Sequence, residues 1–214
     1  MPDSPRTANP AMNPDSSVAF FDKQFQQQVR DQDFKLNPFE LVALPHLGGR
    51  VLDFGCGLGN LAIAAAQRGC SVVALDASRP AISHLRQRAA SAALPVEAIE
   101  ADLRNHEVTE DFDCVVSIGL LMFFDCPTAL DVLSKLQVRV RDGGIAVINV
   151  LVEGTTYLDM FQPESYCLFP RTELERRFSN WNIIHSEFRE FDAPGQRIKS
   201  FVTLIAQKPV RQTP

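Results

Sequence analysis

Residues 51–60 are Val51-Leu52-Asp53-Phe54-Gly55-Cys56-Gly57-Leu58-Gly59-Asn60. The apolar start of this stretch predicts a short buried strand, the alternating glycines predict a turn, and the residues from Asn60 onward predict a helix. Glycine tolerates positive φ and allows a ligand to approach the backbone closely. Because the turn joins the carboxyl end of a strand to a helix N-terminus, it predicts a ligand-binding crevice.

The rest of the chain alternates apolar strands with helices, which indicates βαβ units and a parallel sheet. Residues 145–151 are almost all apolar, as is typical of a strand that is buried on both faces. The last two predicted strands have no helix between them and should pair as an antiparallel hairpin. We therefore predict an α/β fold with a doubly wound, Rossmann-like sheet of seven strands, mostly parallel. The predicted strands are 50–54, 71–75, 96–101, 113–118, 145–151, 181–190 and 198–207, and the helices are 39–44, 60–67, 79–92, 127–140 and 172–178.

The chain divides into four predicted parts. Residues 1–17 contain four prolines among polar residues and are expected to form a disordered tail, because they can bury little apolar surface. Residues 18–49 are expected to be a helical arm, which acts as a lid or simply packs against the sheet. Residues 50–208 form the predicted ligand-binding domain, and residues 209–214 form a second tail.

Three acids lie at the ends of three successive predicted strands and indicate which ligand binds. The dinucleotide fingerprint needs a third glycine where this chain has Asn60. Asp53 would repel a pyrophosphate but attract an α-ammonium group, and S-adenosylmethionine carries an ammonium and a sulfonium but no phosphate. Asp76 can accept hydrogen bonds from a ribose diol, and Asp102 can accept one from an adenine amine, with Leu103 packed on the ring. The pattern favours S-adenosylmethionine over NAD, and a P-loop is excluded because no Gly-Lys-Ser or Gly-Lys-Thr follows the glycines.

Composition narrows the class of protein further. The formal net charge of −5 over 214 residues argues against a nucleic-acid partner, because phosphate binding needs a basic surface. No apolar run is long enough to span a membrane, and the polar N-terminus lacks a signal-peptide core, so we expect a cytoplasmic protein. The spacing of the cysteines and histidines predicts no metal site. We expect free thiols rather than disulfides at all five cysteines, Cys56, Cys70, Cys114, Cys126 and Cys167.

With these residues in hand, the chain resembles the class I S-adenosylmethionine-dependent methyltransferases over about residues 50–207. The resemblance implies that the glycine turn holds the methionine part of the cofactor, that Asp76 and Ala77 hold the ribose, and that Asp102 and Leu103 hold the adenine. It also implies that Ser117, on the fourth strand, passes beside the methyl donor, and that S-adenosylhomocysteine is the product. The implied methionine-binding residues are Asp53, Gly55, Cys56, Gly57 and Gly59.

A narrower resemblance is to the tellurite-resistance methyltransferases. It is carried by residues 116–124, by residues 173–178 with the following Trp181, and by residues 197–206. The chain departs from that family at Asn60 and Leu61, where an arginine is usual. It departs again at residues 188–192, which lack the histidine of the family's Glu-Leu-His stretch, so tellurite itself is not expected as the acceptor.

Methyl transfer to a soft nucleophile requires alignment and exclusion of water more than a base. The sequence identifies no general base and hence no catalytic residue. We therefore expect a small-molecule acceptor, with a chalcogen or thiol nucleophile as one option. His185 is the histidine best placed to face the acceptor, and Arg197 could bind an anionic acceptor. The candidate apolar lid consists of Phe20, Phe25, Met122, Phe123 and Phe161.

Two other functions remain open at this point. A non-catalytic S-adenosylmethionine-binding regulator would share the fold and the cofactor but form no demethylated product. A nicotinamide-dependent oxidoreductase would bind NAD, which Asn60 and Asp53 disfavour. The sequence does not indicate the oligomeric state.

Overall fold

The computed structural model describes residues 15–163 and 165–210, and its centre is one sheet of seven strands. The strand order is β3-β2-β1-β4-β5-β7-β6, with β1 to β5 parallel and β7 antiparallel to both β5 and β6. This confirms the predicted fold class. The strands are β1 Arg50–Phe54, β2 Ser71–Asp76, β3 Val96–Glu100, β4 Phe112–Ile118, β5 Val140–Leu151, β6 Asn182–Ala193 and β7 Arg197–Gln207.

Helices cover both faces of this sheet, as βαβ connections require. The helices are α1 Asp15–Arg30, α2 Pro38–Ala43, α3 Asn60–Gln67, α4 Arg79–Ser91, α5 Cys126–Val138 and α6 Glu173–Arg177, with 3-10 turns at Leu44–His46 and Leu121–Phe123. Leu52 and Val115 belong to the core on one face, and the adjacent Val51 and Val116 belong to the core on the other. Neighbouring strand residues are therefore both buried, which explains the uninterrupted apolar runs in the sequence.

Several predicted boundaries differ from the observed ones, and two of these differences have a clear structural meaning. Helix α1 begins at Asp15, inside the segment predicted as a tail, while the other residues of that segment lie outside the described part. Strand β5 begins at Val140 rather than at residue 145, because the ladder with β4 shifts register between Phe112 and Cys114. Gly143 has φ of +77° in this irregular part of the strand, and this glycine accommodates a bulge.

The prediction of free thiols is wrong for two of the five cysteines. Cys126, the first residue of α5, forms a disulfide with Cys167 in the connection between β5 and α6, across 41 residues of sequence. Spacing alone gave no sign of the pair, because the fold brings these distant segments together. The other three cysteines, Cys56, Cys70 and Cys114, are free and buried.

The described residues contain neither a membrane-spanning helix nor a metal-binding cluster. None of their helices is both long and apolar enough to cross a membrane. None of their histidines, cysteines and acids form a cluster suited to a metal ion.

Candidate active site

A cavity of about 560 Å³ opens beyond the carboxyl ends of β1, β2 and β4. Its volume lies within the range of small-molecule sites, about 300–1,000 Å³. The glycine turn and Asp53 form one wall, and Asn149 and Lys199 belong to the opposite side. Helix α1 covers the cavity with Phe25, so the arm lies over the ligand crevice rather than only against the edge of the sheet.

The glycine turn is held against β2 by its own backbone. The N–H groups of Gly55 and Cys56 both donate to the Leu75 carbonyl, at 2.8 and 3.0 Å. These two donors are therefore already used, and the turn offers a ligand its shape more than its N–H groups. Gly57 has φ of +52°, and a Cβ there would lie 3.0 Å from the Phe25 ring. Only glycine suits that close approach between turn and arm.

Gly59 has a different role from the one implied by resemblance. It does not line the cavity; it precedes α3 with φ of +70°. A Cβ on this residue would lie only 2.4 Å from a methyl group of Leu85 in α4. Gly59 therefore allows close packing between the turn and α4.

Asp53 is the most unusual group in the cavity. Its side chain is 6% exposed, and no described residue donates a hydrogen bond to its carboxylate. Burial, followed by the nearby carboxylates of Glu40 and Asp76, raises the pKa of Asp53 to about 8. A buried acid without a donor or a cation is costly in its ionised form. The ammonium group of S-adenosylmethionine would supply both a donor and a positive charge, so the residues present fit this cofactor.

Asp76 links the turn, the next helix and the arm. Its two carboxylate oxygens each accept a backbone N–H at 2.8 Å, one from Gly57 and one from Ser78. Burial raises the pKa of Asp76, and these two hydrogen bonds oppose the rise. The Ser78 hydroxyl also donates to Asp22 on α1. Ala77, beside these groups, lines the cavity as well.

The predicted adenine-binding residues line the cavity beyond β3. Leu103 is buried, whereas Asp102 is exposed and accepts a hydrogen bond from the Asn105 amide at 2.8 Å. Arg104 donates its backbone N–H to the same carboxylate at 3.2 Å. These neighbours hold the Asp102 side chain in place at the edge of the cavity.

The structure divides the predicted acceptor residues into two groups. Phe20, Phe25, Met122 and Phe123 line the cavity, and Phe161 packs behind them with its ring 4.9 Å from that of Phe123. The remaining candidates do not line the cavity.

Three candidate residues lie elsewhere. Ser117 is fully buried, and its hydroxyl has no hydrogen-bond partner among the described residues, while its neighbour Ile118 reaches the cavity. His185 is on the edge strand β6, with its imidazole 3.6 Å from Glu187. Arg197 is held by both carboxylate oxygens of Asp159, and its guanidinium lies 4.7 Å from the centre of the Tyr157 ring.

Several cavity residues were missed at the level of sequence. Asn37 and Glu40 form a capping box at the start of α2, with Glu40 accepting the Asn37 N–H at 2.7 Å. Pro38 predicts the start of this helix, but no local pattern places Asn37 and Glu40 beside the cavity. For Asn149, the available signal was a single polar residue inside an otherwise apolar strand. Nothing local in the sequence distinguishes Lys199.

Comparison with known proteins agrees with this geometry. Residues 51–144, which contain all three strand-end acids, match a family described as "Methyltransferase domain". The chain is 25% identical over 166 residues to a probable S-adenosyl-L-methionine-dependent methyltransferase, TehB, of Haemophilus influenzae, which covers 74% of this chain and 57% of that protein. The crystal structure of TehB from Haemophilus influenzae superposes with a TM-score of 0.70 at 18% identity, over 90% of this chain and 67% of that one.

The chain is similar to TehB, and its matches support a class I S-adenosylmethionine-dependent methyltransferase related to that protein. These matches confirm the resemblance to S-adenosylmethionine-dependent methyltransferases that the sequence shows. They also confirm that the cofactor of this family is S-adenosylmethionine and not NAD. A further relative, hemagglutinin 1 of Eikenella corrodens, is 28% identical over 166 residues, which are 75% of this chain and 55% of that protein. The chain thus spans little more than half the length of these two curated relatives.

Proposed function

We propose that this chain transfers a methyl group from S-adenosylmethionine to a small-molecule acceptor. The observation that carries the proposal is Asp53, a buried carboxylate with a raised pKa and no described donor at the floor of the cavity. In this arrangement the cofactor ammonium lies near Asp53 and Glu40. Its ribose lies at Asp76 with Ala77, and its adenine lies between Asp102 and Leu103.

The small size of the acceptor follows from the cover over the cavity. Phe21 of α1 contacts Phe123 with ring centres 4.9 Å apart, and Phe25 lies against Gly57. These contacts join the arm to both sides of the crevice and would exclude water from the reacting atoms. We propose that the arm is a lid that closes over a bound small molecule. The net charge of −5 also makes a nucleic-acid acceptor a poor electrostatic match.

The reaction requires little acid–base chemistry from the protein. A lone pair on the acceptor forms a bond to the methyl carbon while the carbon–sulfur bond of the sulfonium breaks. The sulfur keeps that electron pair, S-adenosylhomocysteine results, and a proton on the acceptor leaves to solvent. None of the described residues that line the cavity is a histidine. A soft nucleophile such as a thiol or another chalcogen suits this site, because it is reactive without a strong base.

The test is to measure S-adenosylhomocysteine formation with three matched acceptors, thiophenol, phenol and aniline. We expect turnover with thiophenol to exceed turnover with the other two, and Asp53→Ala to reduce it at least tenfold. Asp131→Ala, on an exposed pair with Lys135 in α5, is the matched control and should behave as wild type. Tight binding of S-adenosylmethionine without product from any acceptor would contradict the proposal and favour the non-catalytic regulator.

A further inference from the structure

Three acids and two lysines that line the cavity come from different parts of the fold, and Glu40 and Arg104 line it as well. Asp53, Asp76 and Asp102 lie at or just beyond the carboxyl ends of β1, β2 and β3, where the cofactor is proposed to bind. Lys199, on the other side, lies on β7, and Lys35 reaches the cavity from the segment between α1 and α2. The sheet order separates these groups, because β4 and β5 lie between β1 and β7.

Asn149 offers the cavity an unused hydrogen-bond acceptor. It is fully buried on β5, and its amide nitrogen donates to the Thr203 hydroxyl at 2.9 Å and to the Val202 carbonyl at 3.5 Å. These bonds direct the amide nitrogen toward β7. The amide oxygen has no partner among the described residues, and the residue lines the cavity. A buried carbonyl of this kind is costly unless a ligand donates to it.

Lys199 offers the same side a positive charge. Its side chain is half-buried, and its ammonium lies 4.7 Å from the centre of the Tyr157 ring. In the described part of the chain no carboxylate pairs with Lys199 or with Lys35. Nearby Arg197, by contrast, is neutralised by Asp159. The two lysines are therefore available to an anionic ligand.

The register of β5 and β7 fixes the spacing of Asn149 and Lys199 along the backbone. Asn149 pairs with Thr203 and Leu151 pairs with Phe201, so Lys199 is the next residue outward on the same face. Four residues of antiparallel strand span about 14 Å, so a hydrogen bond at each end leaves about 8 Å for a ligand, roughly one substituted ring. The surface between the two ends is aromatic, with the rings of Phe39 and Phe201 centred 4.8 Å apart.

We propose that the acceptor is an aromatic carboxylate whose nucleophilic X–H group donates to Asn149 and whose carboxylate pairs with Lys199, assisted by Lys35. The inference rests on the proposed function and specifies its substrate. The nucleophile then lies at the deep end of the strand pair, beside Gly119, whose N–H donates to the Asn149 backbone carbonyl at 3.1 Å. Phe39 and Phe201 contact the ring, and the lysines bind the carboxylate at the rim.

The test measures binding of three probes to protein saturated with S-adenosylhomocysteine, by calorimetry. The probes are 4-hydroxybenzoate, 4-hydroxybenzamide, which lacks the charge, and 4-methylbenzoate, which lacks the donor. We expect 4-hydroxybenzoate to bind at least tenfold more tightly than the amide and about fivefold more tightly than the methyl compound. In Lys199→Met the preference for 4-hydroxybenzoate over 4-hydroxybenzamide should fall below threefold. Lys199→Arg should keep most of this preference. Lys135→Met, on the exposed pair with Asp131, is the matched control and should keep the whole preference.

Three results would overturn this inference. They are equal binding of acid and amide in the wild type, a charge preference that survives in Lys199→Met, and no binding of 4-hydroxybenzoate to protein that has bound S-adenosylhomocysteine. Each of them leaves the proposed methyl transfer standing. Failure of S-adenosylhomocysteine itself to bind would instead count against the proposed function.

Discussion

At the scale of single residues, the site is defined by two acids, Asp53 and Asp76, that form no ion pair with a described cation. Asp53 is surrounded by Glu40 and Asp76 and is shielded from water, so its proton is retained to about pH 8. Asp76 differs, because two backbone N–H groups already stabilise its charge. The same residue type therefore serves two purposes: Asp53 is left for a ligand cation, whereas Asp76 also organises the turn.

The raised pKa of Asp53 predicts a pH-dependent stability of the cofactor-free protein. The folded chain keeps the proton up to about pH 8, whereas the unfolded chain releases it near the ordinary value of about 3.9. Between these values the folded state binds more protons, so stability falls as the pH rises. The melting temperature of Asp53→Asn relative to wild type should therefore increase from pH 5 to pH 8. Asp131→Asn should show no such trend, and a constant difference for Asp53→Asn would refute the assignment.

Gly59→Ala separates a packing role from a binding role. The backbone of Gly59 has φ of +70°, and a Cβ at this position would lie 2.4 Å from Leu85. We therefore expect the substitution to lower the free energy of unfolding by about 1–3 kcal/mol. Urea unfolding measures this loss. Because Gly59 does not line the cavity, the affinity of the folded variant for S-adenosylmethionine should stay within about threefold of wild type. A large loss of affinity for S-adenosylmethionine with an unchanged free energy of unfolding would show that Gly59 contributes to cofactor binding and not to packing.

At the scale of elements, α1 and the connection between β5 and α6 are two of the segments outside the parallel sheet that line the cavity. Helix α1 supplies Phe21 and Phe25, and the connection between β5 and α6 supplies Tyr157 and Met160. The Cys126–Cys167 disulfide joins this connection to α5. The Cys167 N–H also donates to the Met122 carbonyl at 3.0 Å.

Loss of the disulfide should destabilise the chain. Closing a loop of 41 residues contributes about 4 kcal/mol by the chain-entropy relation. A reductant should therefore lower the melting temperature of the wild type. The double variant Cys126→Ala, Cys167→Ala is the control, since it should melt at a lower temperature and show no response to the reductant. Identical wild-type melting curves with and without reductant would show that the bridge does not contribute.

The lid hypothesis is tested by removing the arm. Deletion of residues 1–34 removes the Phe25 contact with Gly57 and the Asp22 hydrogen bond with Ser78 but keeps Lys35. We expect kcat/KM for the acceptor to fall about tenfold, because water then enters the site. Deletion of residues 1–14 alone keeps α1 and should leave the kinetics unchanged. Unchanged kinetics in the longer deletion would contradict a lid.

At the scale of the whole molecule, features that depend on neighbouring residues can be predicted from the sequence, whereas features that depend on contacts between distant segments cannot. The glycine turn, the strand-end acids and the apolar strands are local patterns, so the sequence alone predicts the sheet and the cofactor side of the cavity. The Cys126–Cys167 bridge and the Asp159–Arg197 pair join distant segments. The acceptor side depends on such contacts, which is why Asn149 and Lys199 were not predicted.

The central claim is that the glycine turn and its acids bind S-adenosylmethionine, and calorimetric titration tests it most directly. We predict micromolar binding of S-adenosylmethionine by the wild type and no comparable binding of NAD. Asp76→Ala should weaken the binding at least tenfold, about 1.4 kcal/mol. If folded wild-type protein binds NAD but not S-adenosylmethionine, the account is contradicted and the oxidoreductase alternative is favoured.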